Sequence, residues 1–318
     1  MNGIDVKVSL HREVEMVKGN NVDKVSGVLA GLAVVVIWSG WIIISKWGLS
    51  HALTVWDVTG IRFLTAGLVV FLYSIFSKIS LKPLFTLPII TASLCCGTFY
   101  VCASLIGLLL SDAANTGVII NGLLPLMCAV IIFVWKGNRL TSTQYVGVLL
   151  ILLANFLLFT SSGGATLSAF LWLFIATFFI AFYSVSMKIW RIDIKVIMIA
   201  VPIINAIFFT PIWFFLPTHL GHAPVSEIVL QGVYQGIVVS ICALFCMSYS
   251  INKLGAVSAS TIMALVPIVS VLLAMVFLQQ QVSLQMVVSI LICSFGIACY
   301  SALQPMLVYL KRYKKGNH

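Results

Sequence analysis

From residue 25 to residue 305 the chain is a succession of apolar runs, each long enough to cross a bilayer, separated by short polar connections. About 20 apolar residues in a helix span a hydrocarbon core of roughly 30 Å. Only 8% of the residues are charged and 61% are hydrophobic. A soluble domain carries about 25% charged residues, so this chain lacks the polar surface to face water. The runs fill the sequence and leave no room for a separate soluble domain. The fold class is therefore an all-α polytopic membrane protein.

Ten helices are predicted, over about 25–45, 56–77, 84–109, 113–135, 144–161, 167–187, 196–216, 228–251, 255–278 and 284–305. The net charge of +10 does not form a nucleic-acid stripe, because the basic residues sit singly or in pairs between helices and in the tails. Lys7, Arg12, Lys18 and Lys24 precede helix 1; Lys78 and Lys82 follow helix 2; Lys136 and Arg139 follow helix 4. Lys188, Arg191 and Lys195 follow helix 6, Lys253 follows helix 8, and Lys311, Arg312, Lys314 and Lys315 follow helix 10. The alternate connections, SDAAN, SSGGAT, PTHLGHAPVSE and QQQVS, have no Lys or Arg. Sixteen of the eighteen basic residues thus fall on one side, which the positive-inside rule makes cytoplasmic. Both termini are expected there, and the first span is expected to stay as an anchor, with no cleavable signal peptide ahead of it.

The chain also repeats itself. PLMCAVIIFVWKGNRLTSTQ (125–144) is echoed by PIVSVLLAMVFLQQQVSLQ (267–285), and Trp41 with Tyr183 and Lys46 with Lys188 keep the offset of 142 residues. Five helices are followed by five related ones. Because five is odd, the second set must enter the membrane from the opposite face, as two inverted five-helix repeats. The expected divisions are a polar cytoplasmic tail (1–24), a first repeat (25–161), a second, inverted repeat (162–305) and a basic cytoplasmic tail (306–318).

Inverted repeats suit alternating access around a site near the midplane. A proline inside a helix frees the carbonyl four residues earlier. Pro125 is expected to free that of Asn121, and Pro267 that of Met263. Such carbonyls are tolerated at membrane depth where they face protein or a wet cavity, so the two prolines are candidate helix breaks and gating points.

IWSGWIIISKWGLSHALTVWDVTGIRFLTAGLVV, with Trp38, Ser39, Gly40, Lys46, Arg62, Phe63 and Ala66, resembles the opening of an EamA-type member of the drug/metabolite transporter superfamily. SDAANTGVIINGLLPLMCAVIIFVWKGNRLTSTQYVG resembles its helix 4–5 signature, carried by Ala113, Ala114, Pro125, Gly137, Leu140, Thr141 and Gly147. LGAVSASTIMALVPIVSVLLAMVFLQQQVS resembles the second copy. The family's Gly-Glu turn reads Gly137-Asn138 here and Gln279-Gln280 in the second half; Asn155 stands where a packing glycine is common, matched by Gly296 in helix 10. The resemblance implies a transporter in a bacterial cytoplasmic (inner) membrane and favours export.

Polar and aromatic residues near midspan are the candidate lining of a cavity: Trp38, Ser39, Trp41, Tyr100, Asn115, Asn121, Tyr183, Ser184, Tyr249, Ser258 and Thr261. For each of them, interhelical hydrogen bonding is the competing role. Two cations lie within spans. Arg62 stands six residues, about 9 Å, below the outer start of helix 2, and Lys46 near the outer end of helix 1. Ionisable groups inside a membrane are functional candidates, with an outward snorkel as the alternative. Asp57, Asp112 and Glu227 fall near outer helix ends and all five histidines in tails or connections. No midspan carboxylate is left to relay protons, which favours facilitated or exchange transport.

The eight cysteines lie inside apolar runs, and neither a metal site nor a disulfide framework is expected. No catalytic motif or cofactor site is evident, so the chain is not read as an enzyme. The expected activity is alternating-access transport of small polar metabolites, with export of amino acids or related compounds favoured. Import or exchange of a nucleotide-derived or other anionic metabolite is the alternative, as is a non-transporting scaffold or channel. The expected partners are a small-molecule substrate and the lipid bilayer, with no nucleic acid and a monomer as the unit.

Overall fold

The computed structural model describes residues 21–137, 141–161 and 165–316, with side chains described over 23–300 apart from those of 143, 256, 257 and 260 and the two gaps. The tail through residue 20, Asn138, Arg139 and Leu140 of the helix 4–5 turn, 162–164 of SSGGAT and the side chains of the C-terminal basic run lie outside the described residues. The described elements are helical: α1 (Asn21–Ser50), α2 (Val55–Phe76), α3 (Leu87–Leu109), α4 (Ala113–Lys136), α5 (Ser142–Thr160), α6 (Leu167–Ile189), α7 (Ile194–Trp213), α8 (Val225–Leu254), α9 (256–277) and α10 (Leu284–Gly316). A 3₁₀ turn, Lys82–Phe85, leads into α3. Seven of these, α1–α4 and α6–α8, are long and apolar enough to cross a membrane; α5, α9 and the Leu284–Tyr300 part of α10 are shorter apolar helices. Large apolar side chains point outward along them, with Phe76 82% exposed and Val134 79%. An apolar face that extensive belongs in lipid. The chain is a multi-pass membrane protein.

Two helices run longer than the sequence predicts. α1 reaches back to Asn21 because its first turn is held by its neighbour: Asp23 pairs with Lys253 at 2.7 Å, and Tyr249 meets Ser26 at 3.2 Å. α10 continues to Gly316, past the expected end at 305.

The packing is reciprocal between the halves. α2 pairs with α7, α4 with α9 and α5 with α10, which are corresponding helices. The other pairings come in exchanged couples: α1–α8 with α6–α3, α1–α9 with α6–α4, and α2–α8 with α7–α3. The α5–α10 crossing is set by glycines, since a Cβ on Gly147 would lie 2.8 Å from the Gly296 carbonyl oxygen. The repeated polar turns also share a backbone. α4 ends at Gly137 with φ of 69°, and α9 ends before Gln279 with φ of 53°. The next helix is then capped by Thr141 in one half and by Ser283, which accepts from the Met286 N–H, in the other.

The helix breaks follow the same logic. α3 carries a wider π turn at Cys95–Phe99, where Gly97 is non-helical at φ −94° and ψ −108°. α8 carries one at Gly232–Cys242. Asn205 of α7 is inserted into the first break. Its Oδ1 accepts from the Thr98 N–H and Oγ1–H at 2.7 Å each, and its Nδ2 donates to the Ser93 carbonyl at 2.9 Å and to the Val201 carbonyl at 2.7 Å. A backbone interrupted at membrane depth needs such partners. In the second break Gly236 lies against Thr65 of α2 instead.

The prolines behave differently from each other. α4 continues through Pro125. α9 tightens into a 3₁₀ turn, Met263–Leu265, just before Pro267. The Met263 carbonyl, expected to be free, accepts from the Val266 N–H, because the i→i+3 pattern of a 3₁₀ turn reaches it without the missing proline donor.

Candidate substrate site

Arg62 lies seven residues, about 10 Å, into α2, is half-buried, and reaches α8 of the second half. Its Nη1 donates to Gln235 Oε1 of α8 at 3.3 Å, while its Nε is buried without a hydrogen bond. Gln235 is fully buried and its Nε2 donates to Ser45 Oγ at 2.7 Å and to Gln231 Oε1 at 3.2 Å. Gln231 in turn donates to the Ile44 carbonyl at 2.7 Å. The amide chain is oriented by that last carbonyl: each glutamine donates away from Arg62 and offers an oxygen toward it. Glu227, Gln231 and Gln235 follow one another at four-residue spacing along α8, all buried, and Glu227 Oε1 makes no hydrogen bond.

Aromatic rings close the other sides. Trp41 of α1 stacks on Tyr100 of α3, centroids 6.1 Å apart, and the Trp41 Nε1 is buried without a hydrogen bond. Tyr100 and Cys96 of α3 are the ionisable side chains in electrostatic reach of the guanidinium. Tyr183 of α6 lies within electrostatic reach of Cys96. Tyr234 of α8 donates to the Ile37 carbonyl at 3.1 Å and sits over Gly40, where a Cβ would displace it. Trp41, Arg62, Tyr100 and Gln235 thus converge from α1, α2, α3 and α8, while Tyr183 of α6 packs in the neighbouring cluster around Ala92 and Ile197.

The remaining expected residues sit elsewhere. Ser39 donates to the Val266 carbonyl at 3.3 Å, tying α1 to the α9 break. Trp38 is half-buried against the main core. Asn121 donates to the Gly117 carbonyl of its own helix, as Asn155 does to Ile151 and Ser184 to Ile180. Asn115 is buried in the first turns of α4. Tyr249 stands beside the Asp23–Lys253 pair at the far end of α8. Ser258 and Thr261 lie on the Ala256–Ile262 segment of α9, Ser258 exposed.

Lys46 is not directed at the cluster. It donates to the Leu108 carbonyl at 2.9 Å and to the Ser111 carbonyl at 2.7 Å, closing the C-terminus of α3. A cation at that end is favoured by the helix dipole. Asp57 is likewise engaged. Its carboxylate accepts from the Thr54 N–H and Oγ1–H, from Trp213 Nε1 at 3.1 Å, from Thr218 Oγ1 at 2.6 Å and from the His219 N–H at 3.0 Å. It fixes the start of α2 to the end of α7 and leaves Arg62 without a carboxylate.

Sequence reasoning missed Gln231, Gln235, Cys96 and Asn205. The glutamines carried a readable signal, because polar residues at 227, 231 and 235 in an otherwise apolar span share one helix face. Asn205 carried none, since its role depends on a break in a different helix.

Comparison with known proteins agrees with this architecture. The profile of the EamA-like transporter family matches residues 25–160 and again 167–302. A solved structure described as "Crystal structure of protein" superposes with a TM-score of 0.62 at 18% identity, over 87% of this chain and 96% of that one. At that identity the likeness shows the fold alone. No curated protein sequence matches the chain. Two matched halves spanning nearly all the described helices make this chain a member of the EamA-like transporter family, within the drug/metabolite transporter superfamily.

Proposed function

We propose that this transporter is an alternating-access carrier of small polar metabolites, exporting amino acids or related compounds from a bacterial cytoplasm. Ten helices cross the inner membrane as two inverted sets of five, with both termini cytoplasmic. The observation that supports it is the convergence of Trp41, Tyr100 and Arg62 from the first half with Gln235 from the second, away from the helix ends. A site shared by two halves that repeat each other's contacts can be exposed to either face by rocking one half against the other. The polar network gives such a site donors and acceptors, and the stacked aromatics give it an apolar wall.

Purified protein in proteoliposomes tests the reading by uptake and efflux of an amino-acid panel, with and without a pH gradient. Saturable flux and counterflow are expected, with loss of flux in Trp41→Ala and Tyr183→Ala while assembly is intact. Flux that rises linearly with concentration, without counterflow, would indicate a channel. External labelling that reaches one terminus and not the other would remove the ten-span topology.

A further inference from the structure

We infer that Arg62 receives the carboxylate of the substrate, so that this carrier takes small molecules bearing one carboxylate group. The inference deepens the carrier reading above and rests on it. The starting point is a missing charge. The groups facing the guanidinium are Gln235, Tyr100, Cys96 and the Phe63 ring, 5.9 Å away, and none of them is a carboxylate; the buried Glu227 stands eight residues, about 12 Å, along α8 from Gln235, beyond Gln231. Asp57, the acid nearest in sequence, is engaged by four other residues, and the ion pair among the described residues is Asp23–Lys253. A cation held in low dielectric without a counter-charge is costly, and an arriving anion removes that cost.

The form of the anion follows from three further facts. Gln235 occupies one edge of the guanidinium, and the buried Nε remains free to donate. Arginine presents its donors as a planar fork that matches the two oxygens of a carboxylate. The other cation in this part of the molecule, Lys46, donates to two backbone carbonyls. Arg62 therefore balances one carboxylate, a phosphate dianion would leave a second negative charge unmatched, and the ammonium of an amino acid would lie against the Trp41 and Tyr100 ring faces. Trp41 Nε1, buried and unbonded beside Tyr100, is a further donor for a polar group on the same molecule. The stacked rings themselves suit an apolar body.

Two measurements test this. Phenylglyoxal labelling of Arg62 in the purified full chain, read by peptide mass spectrometry, is compared with leucine, 2-hydroxyisocaproate, leucinamide or glycerol 3-phosphate present. The two carboxylates are expected to slow labelling saturably. Leucinamide is expected to do nothing, and glycerol 3-phosphate to protect at least about tenfold more weakly. Equal protection by leucinamide or glycerol 3-phosphate overturns the inference, as does failure of both carboxylates to protect. An Arg62 that never labels also overturns it, because a substrate must be able to reach it.

The second measurement is the thermal shift given by 2-hydroxyisocaproate. Arg62→Gln should weaken its apparent affinity by about 10- to 100-fold, the range for losing a charge-assisted bond. Arg62→Lys should weaken it less, and it decides the matter if the Gln variant does not assemble. Lys46→Met should leave it unchanged. An unchanged affinity in the Arg62 variants refutes the assignment. Protection at Arg62 without any flux would remove the carrier reading and leave this site. Saturable flux of a substrate lacking a carboxylate, indifferent to 2-hydroxyisocaproate, would remove this site and leave the carrier.

Discussion

Replacing Asn205 by Ala tests how a broken helix survives inside the membrane. The amide of Asn205 serves four groups, of which the Ser93 carbonyl and the Thr98 N–H belong to the interrupted backbone of α3. Stranding a buried polar group costs about 1–3 kcal/mol, whereas interhelical bonds measured within membranes average about 0.6 kcal/mol. Two stranded groups therefore predict a loss of about 2–4 kcal/mol, measurable by unfolding in mixed micelles of sodium dodecyl sulfate and dodecyl maltoside. Gly97 sharpens the test. A methyl there would overlap the Asn205 amide, so Gly97→Ala should be damaging alone and nearly harmless once Asn205→Ala has emptied the space. The two substitutions should depart from additivity by about 1–2 kcal/mol. Additive costs, or an Asn205→Ala loss below about 1 kcal/mol, would refute the idea that this side chain stitches the break.

Three other substitutions probe the frame around the site. Asp57→Ala removes a helix cap together with the acceptor for Trp213, Thr218 and His219. It should cost about 2–3 kcal/mol and shift the emission of Trp213 in single-tryptophan protein. Lys46→Met uncovers the Leu108 and Ser111 carbonyls at the end of α3, for an expected loss of about 1–2 kcal/mol in the same unfolding assay. Gly147→Leu places a side chain against the Gly296 carbonyl. It should separate α5 from α10 at a cost of about 1–3 kcal/mol, read as unfolding or as loss of a cysteine cross-link engineered across that crossing.

The frame was legible because two strong constraints act on the sequence directly. Lipid demands long apolar helices, and the helix ends expected from run length and turn residues agree with the structure to within a few residues over α2–α9. The echo at Pro125 and Pro267 was equally readable, and it returns as matched left-handed turns at Gly137 and Gln279. What escaped were features created by one helix meeting another. The π turn at Cys95–Phe99 has no breaker stronger than a glycine in its own sequence, and it exists because Asn205 fills it from α7. Lys46 and Arg62 were equivalent as intramembrane cations when read in sequence. Only packing separates them, because Lys46 lies against the exposed carbonyls of a helix end and Arg62 lies against a glutamine.

The two halves agree where the backbone is concerned and differ where a cargo would be touched. Gly97 faces Asn205 across α3 and α7, and in the exchanged positions Gly236 faces Thr65 across α8 and α2. One turn from Thr65 stands Arg62, but the corresponding stretch of α7, VPII at 201–204, holds no charge. Gln235 precedes Gly236, and Cys96 precedes Gly97. Rocking requires only that both halves offer the same helix pairings, so the glycines, breaks and turns must appear twice. A single cargo near the axis needs one counter-charge, and a second arginine in α7 would place two cations in a space balanced for one anion. On the proposed carrier reading, the repeated frame would serve the motion, while the unrepeated Arg62 and Gln235 would serve the ligand. That division of labour is why the echo in the sequence locates the machinery and cannot by itself name what it carries.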